Sequence, residues 1–163
     1  MKATLENCEI FRGMEEETLL RVLAITRKKS FETGEHPFLL GQRADDVFVV
    51  LSGRVDLRIP ISVLGSLRDV TVESKEAGDA IGWSAFVRPH RYRLSARAAE
   101  PSELAVLPRE GLERLFAADL RAGWRFMQRM AEVISERLLA VQALWARELQ
   151  RSVSESGAFR AEA

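Results

Sequence analysis

The sequence predicts an α+β protein, mainly β, in which short antiparallel strands forming a sandwich or barrel lie between an N-terminal helix and a long C-terminal helix. Three observations carry this. Apolar and polar residues alternate with a period of two through the middle of the chain. Gly34, Gly41, Gly53, Gly65, Gly78 and Gly82 punctuate those runs where turns between short strands are needed. From Met127 to Leu149 the apolar residues recur alternately three and four positions apart, the signature of one long helix.

Each element follows in order. Glu15, Glu16 and Glu17 precede Leu19, Leu20, Val22, Leu23 and Ile25, and Arg27, Lys28 and Lys29 follow, so a helix here has acids and bases at the ends its dipole favours. Val47 to Leu51 is a β-branched and aromatic run closed by Ser52-Gly53, expected to be a strand buried on both faces. Val55, Leu57 and Ile59 alternate with Arg54, Asp56 and Arg58, and Val70 and Val72 alternate with Asp69, Thr71 and Glu73; both patterns predict half-buried strands. Leu104, Val106 and Leu107 mark another strand. Pro108 is suited to open a helical turn through Leu112, Leu115 and Phe116, because its missing N–H would be unpaired at that position. Asp119 is a candidate cap for the long helix, expected to run to about Ser152, with a frayed tail over 153–163.

The bulk properties narrow the function. A length of 163 residues suits a single domain. Lys plus Arg and Asp plus Glu both number 24, so no global field draws the chain to nucleic acid or acidic membrane. One cysteine, Cys8, makes neither an internal disulfide nor a cysteine-rich metal site, and a reducing cytoplasmic setting is expected. The N-terminus lacks the apolar run of a signal peptide, and no stretch approaches the ~20 apolar residues of a membrane span. His36 and His90 have no metal-ligand spacing, and Cys8 reads as a small packed residue. No nucleophile or acid–base set assembles in the sequence, so the chain is not expected to be an enzyme, and no metal or cofactor is expected.

The order of elements, with Ile10-Phe11-Arg12-Gly13-Met14 ahead of the first helix, Gly34-Glu35, Gly41, Asp46 to Val55, Gly78-Asp79-Ala80-Ile81-Gly82 and Ser95-Ala96-Arg97-Ala98, resembles the cyclic-nucleotide-binding domain family. The resemblance covers about residues 5–150. It implies a β-roll, a double-stranded β-helix or jelly roll, over about 27–107, a long C-terminal helix over about 119–152 and a single domain over 1–163. It also implies a phosphate-binding cassette in which a glutamate holds the ribose hydroxyl and an arginine neutralises the cyclic phosphate. On this sequence the cassette falls on Gly82, Trp83, Ser84 and Ala85, followed by Arg91, Tyr92 and Arg93. Trp83 stands at the glutamate position and Tyr92 at the arginine position. Indole is donor-only and a phenol carries no positive charge, so both ligand contacts are absent. Two readings of the neighbouring arginines stay open: a one-residue shift of the loop brings Arg91 or Arg93 into the pocket, or both share a solvated face opposite Tyr92.

The resemblance further implies a role for the last helix as a dimer seam. Met127, Ile134 and Val141 are seven apart, as are Ala131, Leu138 and Trp145, and Leu144 lies beside them. The first half of the helix is expected to cover the roll and the second half, from about Ala140, a symmetry mate. The family's DNA-binding module has no counterpart in these residues, so DNA binding through this chain alone and membrane association are not expected. The reading is thus a regulatory domain with a degenerate cassette, homodimeric and acting on a protein or an unidentified ligand. The alternative is a working small-molecule sensor that takes cyclic AMP, cyclic GMP or another anion in a remodelled pocket.

Overall fold

The computed structural model of the chain describes residues 1–63 and 65–158. These fall into two units, Met1–Arg129 and Met130–Ala163.

The first unit opens with a helix the sequence pattern does not announce, α1 (Lys2–Asn7), followed by α2 (Glu16–Ile25). Glu16 and Glu17 occupy the first turn of α2, and Thr18, Leu19 and Val22 are its buried face. Arg27, Lys28 and Lys29 do not cap this helix. Thr26 turns the backbone to φ −82, ψ 136, and the three bases belong to strand β1 (Arg27–Phe31). Five ladder pairs with β7 (Ser102–Pro108), from Arg27↔Val106 to Phe31↔Ser102, outweigh a weak interaction with the helix end. The exposed bases then guard the sheet edge, and Lys28 pairs with Glu103 at 2.6 Å.

One sheet has the order β1-β7-β2-β5, where β2 is Asp46–Ser52 and β5 is Ala80–Ile81. As a central strand β2 is buried on both faces from Val47 to Val50, as its unbroken apolar run predicts. The turn after it needs glycine: Gly53 sits at φ +82, and a Cβ there would lie 2.4 Å from the Ser102 hydroxyl. The second sheet has the order β4-β3-β6, with β3 Val55–Val63, β4 Ser66–Lys75 and β6 Ser95–Ala98. Together the two antiparallel sheets form the β-roll.

The sequence misjudges β4. Val70 and Val72 are exposed rather than half-buried. The reason lies in the topology: β6 backs β3 only from Val55 to Arg58, short of Ile59 opposite Val70, and Val72 falls at a bulge at Leu57/Arg58. The outer part of the β3–β4 hairpin is therefore a two-stranded ribbon with no third strand beside it.

Pro108 ends β7 and caps α3 (Arg109–Ala118), one residue earlier than its expected place inside the helix. Asp119 caps α4 (Leu120–Ala158): its Oδ1 accepts the Ala122 N–H at 3.1 Å and its Oδ2 the Thr18 hydroxyl at 3.1 Å. Chiefly through the Ala122 N–H, these bonds hold its carboxyl below the usual range. Within the first unit Ala122 and Phe126 are buried, and the Phe126 ring lies 5.7 Å from Phe11, 5.0 Å from Phe86 and 4.8 Å from Phe116. In the second unit the helix continues to Ala158, so residues 153–158 are helical rather than a frayed tail. The remainder of the expected tail, 159–163, lies outside the described residues.

Candidate functional site

Residues 80–96, where the resemblance puts the cassette, fold into a loop that returns on itself. Gly82 adopts φ +80, ψ 16, and a Cβ on it would press to 3.3 Å against both Phe48 and Tyr92. A 3-10 turn over Trp83–Phe86 follows, leaving Ser84 and Ala85 buried and Trp83 half-buried. The chain then passes a cis Arg88–Pro89 bond and His90 at φ 57, whose Nδ1 donates to the Ala85 carbonyl at 2.7 Å.

After this turn residues 90–96 run antiparallel to residues 38–44. Phe38 stands opposite Ala96 and Arg43 opposite Arg91. The Gly41 N–H donates to the Tyr92 carbonyl at 2.9 Å and the Tyr92 N–H to the Gln42 carbonyl at 3.0 Å. Period-two alternation then separates two faces. Tyr92 points inward and is 5% exposed, whereas Arg91 and Arg93 are exposed. The arginines on either side of Tyr92 are placed on the solvated face, and Arg91 donates from Nη1 to the Gly41 carbonyl at 2.7 Å.

Inside, Tyr92 is packed among aromatic rings. Its ring stacks on Phe38 with centroids 3.9 Å apart and planes at 16°, and Phe38 in turn lies 5.5 Å from Phe48. The Tyr92 hydroxyl donates to the Asp46 carbonyl at 2.9 Å. Burial pushes that hydroxyl up to about 12, so it is a neutral donor at physiological pH. Burial also raises the Asp46 carboxyl, against the pull of Arg27 at 4.0 Å. The Tyr92 side chain is thus a buried neutral phenol with its polar atom satisfied.

Phe38 and Asp46 are site residues that the sequence reading leaves unassigned. Phe38 lies in an irregular stretch before Gly41, and nothing in its spacing pairs it with a residue 54 positions later. Tyr92 and Gly82 were legible through their place in the cassette.

No metal centre accompanies the cassette: among the described residues no three His, Cys, Asp or Glu side chains are placed to hold an ion. The thiol of Cys8 is buried and pushed up to about 12 by desolvation, far from a reactive thiolate. A separate cavity of about 70 Å³ between α2 and the start of α4 is lined by Thr18, Asp119 and Arg125, among others. It is far smaller than the ~300 Å³ and upward of ligand pockets. Among the described residues no helix is long and apolar enough to cross a membrane.

The predicted seam residues of α4 are largely exposed. Met127, Leu138, Val141, Leu144 and Trp145 are open to solvent and Ile134 is half-buried. Met127 does not help cover the roll; in the first unit the inward face of the helix is Ala122 and Phe126. Leu120 and Trp124, also exposed, precede Met127 and Ala131 by the same seven-residue step and were missed. The heptad spacing, carried one step back from Met127 and from Ala131, would have found both.

Comparison with known proteins places this geometry. Nothing among curated proteins matches the chain. Among solved structures it is similar to a Geobacter metallireducens protein assigned as cyclic-nucleotide-binding, at 26% identity and TM-score 0.69 over 84% of this chain and 97% of that one. It shares its fold with a cyclic nucleotide-binding domain from Methylobacillus flagellatus, at 22% identity and TM-score 0.72 over 84% and 79%. It also shares its fold with the Thermus thermophilus catabolite activator protein, at 23% identity and TM-score 0.68 over 82% of this chain and 60% of that one. The family model described as the cyclic nucleotide-binding domain matches residues 28–119, from β1 through the cap of α4. With that match over more than half of its length, and with the roll, cassette and long helix in the family's order, the chain belongs to the cyclic nucleotide-binding domain family.

Proposed function

We propose that this chain is a non-catalytic regulatory domain of the cyclic nucleotide-binding fold whose nucleotide pocket is closed by its own side chains, and that it acts through contacts with proteins. The observation that carries the reading is Tyr92, 5% exposed and stacked on Phe38 at 3.9 Å, with its hydroxyl bonded to the Asp46 carbonyl. A cyclic nucleotide entering here would have to break that stack, worth ~0.5–1.5 kcal/mol beyond its buried area. It would also bring a phosphate to a place that offers no guanidinium, and an unpaired buried charge is costly. Trp83, at the glutamate position, has no acceptor for a ribose hydroxyl. Cyclic AMP and cyclic GMP are therefore not the ligands of this domain.

Calorimetric titration with cyclic AMP, cyclic GMP and a cyclic dinucleotide tests this. No heat is expected at ligand concentrations up to roughly 100 μM; binding with Kd near 10 μM or tighter would overturn the closed pocket and restore the sensor reading.

The same reading makes the chain one domain that is a parallel homodimer through α4. It is supported by exposed Trp124, Met127, Leu138, Val141 and Trp145 at heptad spacing, an apolar stripe of the kind that a second helix covers. A reducing cytoplasmic setting suits the single buried Cys8. Light scattering that returns a monomer at micromolar concentration would remove the dimer from the proposal.

A further inference from the structure

Beyond Ile134, α4 carries more exposed apolar surface than one seam accounts for. From Leu138 to Ala146 eight of nine residues are apolar, and Gln142 is the exception. Ile134, Leu138, Val141 and Trp145 continue the seam line. A second line runs beside it through Ser135, Leu139, Gln142, Ala146, Leu149 and Val153, again at alternating steps of four and three. All six residues are exposed, Leu139 at 62% and Val153 at 69%. Both lines lie on the continuous helix of the second unit, so helix geometry alone fixes their faces.

At ~100° per residue, the two lines are centred roughly 100° apart on the helix. A helix with one partner presents one such stripe. Two stripes about a quarter-turn apart suit a helix at the corner of a four-helix bundle, which touches a neighbour on each of two sides. The first line also fits more than two strands. With Leu138 at heptad position a, Ile134 and Val141 fall at d, and leucine at a with a β-branched residue at d shifts coiled coils towards three or four strands. No residue of the second line is charged, so identical faces meet without like-charge repulsion. Seven and fourteen residues before Leu139 stand Glu132 and Arg125, so the second line is confined to the distal stretch.

We propose that four copies of this chain assemble through the distal half of α4. The first line joins two copies, and the second line joins two such pairs into a four-helix bundle over about residues 134–153. The proposal rests on the reading of α4 as a self-association seam and adds a second, separate contact to it. The residues at a and d favour further copies of the chain over a foreign helix, because they set the number of like strands that pack together. Ala146, midway between Leu139 and Val153, leaves room for the close approach of a neighbouring helix.

The test is sedimentation velocity of the full chain across roughly 1 to 300 μM. A tetramer that separates into dimers on dilution is expected. Leu139→Glu/Val153→Glu leaves the first line intact and should stop assembly at the dimer, raising the dimer–dimer Kd about 100-fold or more. Gln142→Leu places a leucine at the middle of the second line without disturbing the helix and should tighten the dimer–dimer contact roughly tenfold. Ala140→Glu, roughly 130° from the centre of either line, should change it by less than about twofold. A trimer, a tetramer that survives Leu139→Glu/Val153→Glu, an equal loss with Ala140→Glu, or an unchanged Kd with Gln142→Leu would each overturn the proposal. A wild-type dimer at every concentration would also overturn it and leave the homodimer standing, whereas a wild-type monomer would remove both.

Discussion

The aromatic residues of the roll and those of α4 meet opposite fates. Phe38, Phe48 and Tyr92 come together from three separate segments and bury one another, whereas Trp124 is 68% and Trp145 65% exposed on a single helix. The roll brings distant chain segments into contact, so its aromatic groups find partners within the molecule. A helix places its stripe along one line, and the stripe on α4 stays open to solvent.

Three measurements break or sharpen that contrast. The largest effect is expected from Tyr92→Ala, which removes the centre of the inward cluster: folding stability should fall by about 3–5 kcal/mol, read from urea unfolding. A loss below about 1 kcal/mol would mean that the ring does not pack as described. Next comes Val141→Glu in the outward stripe. It should leave the melting temperature of the roll in place but weaken self-association roughly 100-fold, read by light scattering across concentrations. An unchanged mass would leave the stripe without its partner.

The smallest effect is spectroscopic. Tyr92 is the single tyrosine of the chain, so the absorbance of tyrosinate reports it alone. Its ionisation should lie near 12 instead of the ordinary 10. Because the folded value is raised, the group's contribution to stability is complete below pH 10 and is lost as pH rises from 10 towards 12. A titration midpoint at the ordinary value would show that the ring is open to water.

Much of the fold was legible in the sequence. The unbroken run from Val47 to Val50 could only be a strand covered on both sides, and Asp119 before an apolar-periodic stretch was a cap. The failures share a cause. Arg27 to Lys29 looked like a helix end and became an edge strand, because β7, some 75 residues later, supplied a ladder that no local signal announces. Val70 and Val72 alternated as a half-buried strand should, yet Val70 pairs with Ile59, past the end of the β3–β6 ladder, and Val72 falls at the bulge between Leu57 and Arg58. Periodicity reports what a segment can bury, and the topology decides whether anything arrives to cover it.

The candidate site divides in the same way. The sequence by itself determined that Trp83 and Tyr92, rather than a carboxylate and a guanidinium, stand at the two positions the resemblance singles out, because side-chain chemistry is a property of residue type. Period-two alternation also determined that Arg91 and Arg93 lie on the face opposite Tyr92 if the segment is extended. Only the tertiary structure decided where the Tyr92 ring packs. Phe38 reaches Tyr92 through an antiparallel pairing across more than 50 residues, and Asp46 presents its carbonyl to the hydroxyl from β2. Contacts between segments so far apart depend on register and sheet order, which arise from the packing of the whole roll and leave no mark on any one stretch of chain.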